Sequence, residues 1–209
     1  RQLAEAIGKS QILMIPGGFS GGDEPDGSGK FIAAVFRESR VSDAVQHLLD
    51  RDGLILGICN GFQALIKLGL VPYGEIRDMR GDSPTLTFNN IGRHVSRLVR
   101  TRVASNNSPW LMHCQPGDIH TVAVSHGEGR FVATPPEAQA LFEAGQVATQ
   151  YVDDTGKPTM GSGNPNGSML AVEGLLSPDG RVFGKMAHSE RCTAHTLTNV
   201  PGEKDQKIF

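Results

Sequence analysis

The sequence predicts an α/β domain whose parallel sheet carries antiparallel additions, and three observations predict it. An apolar run at 12–15 stops at Pro16-Gly17-Gly18, which reads as a buried strand entering a tight loop. A second apolar run, Leu54–Ile58, passes through Gly57-Ile58-Cys59-Asn60-Gly61 straight into a helix-forming stretch at 64–70. Between them Val41, Ala44, Val45, Leu48 and Leu49 recur at the spacing of one helical face, so strand, helix and strand follow in order.

The remaining elements can be read in turn. The loop after Ile15 continues through Phe19-Ser20-Gly21-Gly22-Asp23-Glu24-Pro25-Asp26-Gly27-Ser28-Gly29, too long and glycine-rich for a plain connection. Its acidic part, Asp23 to Asp26, reads equally as a solvated loop or a partner-facing segment. A helix with Ile32, Val35 and Phe36 on one face follows. The helix after Cys59 ends at Gly69, a natural C-cap ahead of Pro72. Residues 97–103 and 121–125 read as strands, the latter entering His126-Gly127-Glu128-Gly129. Residues 136–144 form a helix with Leu141 and Phe142 inward. Residues 146–152 and 169–173 read as edge or hairpin strands, Ser177-Pro178-Asp179-Gly180 as a turn, and 182–186 as a last strand ending at Ala187-His188-Ser189-Glu190.

With 209 residues the chain can bury one core of ordinary size. Its net charge of -2 gives no reason to expect nucleic acid or an anionic membrane as partner, and no apolar run reaches the ~18 residues of a membrane span. Three cysteines, Cys59, Cys114 and Cys192, argue against a disulfide framework and for a reducing, cytoplasmic setting. Cys114 and Cys192 read as small buried apolar residues. His113-Cys114 and Cys192-x-x-His195 fall short of a four-ligand metal pattern, so no metal site is expected.

The layout around Cys59 is that of a nucleophile elbow with cysteine in place of serine. A thiol at a helix N-terminus is expected to favour the thiolate. Such a nucleophile needs a base and a group that orients the base. His188 and Glu190, two apart in an extended segment, point the same way and supply both. Gly17-Gly18 and the N–H of Asn60 offer donors to an oxyanion.

These residues resemble the class I (triad) glutamine amidotransferases. Pro16 to Asp23, Ala123-Val124-Ser125-His126-Gly127-Glu128-Gly129, Asn164-Pro165-Asn166-Gly167-Ser168 and Met186-Ala187-His188-Ser189-Glu190-Arg191 narrow the likeness to the glutaminase part of phosphoribosylformylglycinamidine synthase. The resemblance covers nearly the whole chain. It implies a flavodoxin-like open, mostly parallel sheet with helices on both faces. It implies that Cys59, His188 and Glu190 form a triad and that N–H groups at Gly18 or Phe19 and at Asn60 hold the oxyanion. Gln63 matches a position that helps hold glutamine; His126 reads equally as a contact to substrate or partner or as a turn-stabilising residue. Ammonia would pass to a synthetase domain or subunit that uses ATP and Mg. No phosphate loop is present here, because Gly27-Ser28-Gly29-Lys30 lacks the spacing.

Against the family's pattern, a first strand and a last helix are missing, so residues 1–209 are expected to be one glutaminase domain from a longer chain. Two alternatives stay open: another cysteine hydrolase of the same fold, and a non-catalytic fragment that binds the synthetase.

Overall fold

The computed structural model of the chain describes residues 1–19 and 28–208. The acidic segment 23–26 therefore lies outside the described residues. The elements, in chain order, are α1 (Gln2–Lys9), β1 (Ile12–Ile15), α2 (Lys30–Phe36), α3 (Ser39–Asp50), β2 (Leu54–Ile58), α4 (Asn60–Leu68) and the short turn α5 (Leu70–Tyr73). There follow β3 (Thr85–Phe88), β4 (Val95–Val103), β5 (Ile119–His126), β6 (Glu128–Val132), α6 (Pro135–Glu143), β7 (Val147–Val152), β8 (Val172–Leu176) and β9 (Val182–Lys185).

Seven strands form the main sheet in the order β1-β2-β9-β8-β7-β4-β5. β1, β2 and β9 are parallel, with Ile15 opposite Gly57 and Gly57 opposite Gly184. Their carboxyl ends therefore meet at one edge, where Gly17, Cys59 and His188 follow. From β9 to β5 every neighbouring pair is antiparallel. The α/β reading and the parallel strands at 12–15 and 54–58 hold, but the antiparallel part is larger than a few hairpins. It also curls: the His188 N–H donates to the Ala123 carbonyl on β5 at 2.8 Å, so the last strand of the sheet touches the segment leaving β9. The inside of the curl holds a second apolar cluster of Val99, Val122, Val124, Tyr151, Ala171 and Ala187.

The local reasons are visible in the packing. α4 lies across β1, β2 and β9 and buries nearly every residue it has. Gly184 makes room for it: a Cβ there would sit 2.2 Å from the Phe62 ring. α3 buries Val41, Val45, Leu48 and Leu49, the face the periodicity marked. At β1 the sheet ends, and Ile12 and Met14 are exposed there.

Four expectations are corrected. Phe142 points outward, whereas Leu141 is buried as expected, together with Ala138. Of the edge or hairpin strand expected at 146–152, the antiparallel pairing with β8 holds but the edge does not: residues 147–152 are an interior strand, every residue buried, flanked by β8 and β4. The strand expected at 169–173 starts at Val172; Leu170 and Ala171 have positive φ, which no strand accommodates. Cys192 is half-buried, whereas Cys114 is buried and its thiol donates to the Gln206 carbonyl at 3.1 Å. β3 and β6 pair as a separate two-stranded sheet that the sequence pattern did not reveal.

Candidate active site

Cys59 stands between β2 and α4 with φ 52 and ψ -104, a backbone conformation unfavourable for any residue with a Cβ. The flanking glycines have ordinary φ and serve close approach instead. A Cβ on Gly61 would lie 2.0 Å from the Ile15 carbonyl oxygen, and one on Gly57 would lie 2.5 Å from Leu65. The strain of the elbow is thus carried by the cysteine itself. It is held there by the Cys59 N–H donating to the Lys185 carbonyl at 2.8 Å and by the first turn of α4, where Gln63 N–H donates to the Cys59 carbonyl at 3.0 Å.

The thiol, His188 and the Gly17 loop converge. A Cβ on Gly17 would sit 3.2 Å from the Cys59 Cβ and 2.7 Å from the His188 Cε1, so only glycine lets these two side chains share the space. His188 Nδ1 is 2.6 Å from Glu190 Oε1, which assigns the Nδ1 proton to that bond and leaves Nε2 as the basic nitrogen. Burial raises the pKa of Glu190, but the hydrogen bond and charge of His188, with smaller help from Lys185, outweigh it and hold the carboxyl below its usual value. Cys59, His188, Gly18, Phe19, Gln63, Ser125, His126 and Arg191 line one cavity of ≈ 60 Å³.

The expected resting thiolate is not what the site favours. The Cys59 thiol is pushed up to about 11, with burial the main cause; the Asn60 N–H and the Arg191 charge oppose it and lose. The thiol points at the Ser125 carbonyl, 3.6 Å away. The helix N-terminus is worth only about 0.3–1 kcal/mol to an anion, whereas stripping water from a buried thiolate costs more.

The other predicted residues fall into place around this centre. The Gln63 amide donates to the Glu128 carbonyl and is 3% exposed. His126 is buried; burial, with the nearby His94 and His188, lowers its pKa to about 4, so it is a neutral ring at physiological pH. Its Nε2 lies 3.1 Å from the Asn166 amide nitrogen. That amide also donates to the Gly129 carbonyl at 2.7 Å. Asn164 Oδ1 accepts from the N–H groups of Gly167 and Ser168 at 2.9 and 3.2 Å. The Asn-Pro-Asn-Gly-Ser run is thus a knot that fixes the β5–β6 turn beside the cavity.

Four residues around the site escaped the sequence reading. The Arg191 guanidinium lies 3.4 Å from His188 Nε2. Ser125 offers the carbonyl that accepts from the thiol. Lys185 and Glu173 form a fully buried pair below the His188 turn; a lysine inside the apolar run 182–186 was the signal that could have pointed to it. Among the described residues no cluster of three or more His, Cys, Asp or Glu is placed to hold a metal, and no helix is long and apolar enough to cross a membrane.

Comparison with known proteins decides the family. A family model described as a CobB/CobQ-like glutamine amidotransferase domain matches residues 2–209. Phosphoribosylformylglycinamidine synthase subunit PurQ of Symbiobacterium thermophilum is 36% identical over 190 residues, covering 91% of this chain and 74% of that protein. The chain belongs to the PurQ family of glutamine amidotransferases. PurQ of Gloeobacter violaceus is 34% identical over 194 residues, covering 92% of this chain and 76% of the relative. A solved structure of PurLQS from Thermotoga maritima superposes with a TM-score of 0.68 at 30% identity, over 95% of this chain and 76% of that one. The elbow, the curled sheet and the cavity at the parallel strands' carboxyl ends are thus set in an amidotransferase fold.

Proposed function

We propose that this chain is the glutaminase of a phosphoribosylformylglycinamidine synthase. It hydrolyses glutamine to glutamate and ammonia, and the ammonia serves a synthetase that converts formylglycinamide ribonucleotide to its amidine with ATP and Mg. The observation that carries this reading is the convergence of Cys59 and the His188–Glu190 pair on one cavity at the carboxyl ends of β1, β2 and β9.

In the proposed reaction His188 Nε2 takes the thiol proton and Cys59 Sγ attacks the side-chain amide carbon of glutamine. The carbonyl oxygen becomes an oxyanion facing the N–H groups of Gly18 or Phe19 and of Asn60. The C–N bond then breaks and His188 returns its proton to the leaving nitrogen, releasing ammonia and leaving a γ-glutamyl thioester. His188 next removes a proton from water, whose oxygen displaces the thiolate; glutamate leaves and the sulfur is reprotonated. Glu190 orients His188 throughout. Gln63 and His126 form the wall for the substrate, the Gln63 amide being already fixed by Glu128.

The nucleotide chemistry belongs to the partner. Gly29 packs against α4, where a Cβ would lie 2.6 Å from the Ala64 nitrogen, so the turn before Lys30 abuts the helix. The test is glutamate release by the full-length chain with its synthetase present. Release should fall at least ~10³-fold in Cys59→Ala. Activity that persists in that variant refutes the reading, and hydrolysis of a peptide without hydrolysis of glutamine would favour a different cysteine hydrolase.

A further inference from the structure

Below the turn that carries His188 and Glu190 lies a pair of charges with no part in the chemistry above. Lys185, the last residue of β9, and Glu173 on the neighbouring β8 are both 0% exposed, with Nζ 3.6 Å from Oε1. The Lys185 ammonium donates to the Ala187 carbonyl at 2.8 Å and to Ser189 Oγ at 2.8 Å. Glu173 Oε1 accepts from the Ala187 N–H at 2.7 Å, and its other oxygen accepts from the Thr149 hydroxyl. Ser189 in turn donates to the buried side chain of Gln206. The pair therefore grips the residues immediately before and after His188. The backbone of the same lysine grips the other arm, since its carbonyl accepts the Cys59 N–H at 2.8 Å.

Two buried charges are a costly way to fill space. An apolar pair of equal volume is commonly as stable or more so. What the charges add is direction: donors and acceptors with fixed geometry can pin an irregular backbone segment, which apolar contacts cannot. Residues 186–188 need such pinning. They lie beyond the end of β9, and His188 has φ -94 and ψ 81, outside both helix and strand. Burial lowers the pKa of Lys185 and the carboxylates Glu173 and Glu190 oppose it. The grip does not depend on the outcome, because an amine retains two donors for Ala187 and Ser189.

We propose that Lys185 and Glu173 are positioning residues that set His188 against Cys59, Lys185 joining the two arms by its carbonyl on one side and its side chain on the other. The proposal rests on the glutaminase reading for its kinetic test but has a second readout that does not. In the full-length chain with its synthetase, the double variant Lys185→Met/Glu173→Gln leaves no unpaired charge in the core. It is expected to keep KM for glutamine within about threefold and to lose kcat by roughly 10²-fold, the usual effect of a displacement of about 1 Å at a reacting pair. Ser189→Ala, which keeps both charges and cuts one tie, is expected to lose kcat several-fold at constant KM. It decides the matter if the double variant does not fold. The second readout is the downfield proton resonance of the His188 Nδ1–H···Glu190 bond, assigned by its loss in His188→Ala. It should be sharp in the unaltered chain and broadened or shifted in both variants. A kcat within twofold of the unaltered enzyme together with an unmoved resonance, in either folded variant, overturns the proposal. No glutamate release from the unaltered enzyme would instead overturn the glutaminase reading, and the resonance alone would then judge the positioning.

Discussion

At the scale of single residues, the elbow stores its strain in the residue proposed to react. Cys59 sits at φ 52 and ψ -104, and such a conformation costs a side chain about 1–3 kcal/mol. Glycine there would be relieved of that cost, against about 0.5–1 kcal/mol for its greater freedom in the unfolded chain. Of two inactive variants, Cys59→Gly should therefore be more stable than Cys59→Ala by about 1 kcal/mol, seen as a higher denaturant midpoint at unchanged slope. Equal midpoints, or a more stable alanine variant, would show that the packing of α4 relaxes the turn when the thiol is gone. Glycines 17 and 61 differ from this case, because each is required by a neighbour and not by its own φ.

At the scale of elements, α4 is fixed by the contact of its first turn with β1. A Cβ on Gly61 would meet the Ile15 carbonyl oxygen at 2.0 Å, and backbone cannot step aside as a side-chain end can. Gly61→Ala should push α4 away from the sheet, cost about 3 kcal/mol of stability and abolish glutamate release with it. Gly17→Ala meets mainly the His188 ring, so it should lose turnover while its thermal midpoint stays nearly unchanged; equal losses of stability in the two variants would refute this distinction. The elbow and the strand end at His188 were legible in the sequence because each couples a strong apolar run to an abrupt change of residue type. The second sheet was not. β3 and β6 are short, bury one side chain each, Leu86 and Phe131, and are held by a loop knot at Asn164, Asn166 and Ser168 whose hydrogen bonds leave no periodic trace. The burial of 147–152 was hidden for a related reason: the curl that covers that strand is a property of the whole sheet. The acidic character of Lys185's partner, Glu173, became meaningful only once β8 and β9 were seen side by side.

At the scale of the whole molecule, two properties describe the same resting state. The cavity at Cys59 has ≈ 60 Å³, room for a few waters, whereas ligand pockets commonly hold ~300 Å³ or more. The thiol beside it is pushed up to about 11, chiefly by its burial. An opening that admits glutamine would also rehydrate the sulfur, coupling substrate access to thiolate formation. The walls include Gly18 and Phe19 on the β1 side, and Ser28, whose N–H donates to the Glu128 carboxylate at 3.2 Å. A partner that stabilises the open form should therefore lower the thiol's pKa as it raises activity. The sign is fixed by the chemistry: alkylation needs the thiolate, so in the chain alone the labelling rate of the Cys59 peptide by iodoacetamide should keep rising with pH towards 11. With the synthetase and glutamine-site opening, the midpoint should move down towards the ordinary thiol value near 9 and the rate at pH 7.5 should increase at least tenfold. Following the Cys59 peptide by mass spectrometry separates it from the half-buried Cys192. A midpoint near 9 in the chain alone would mean that the site is already open and hydrated. A midpoint unmoved by the synthetase would mean that the partner acts on the ammonia's destination and not on the nucleophile.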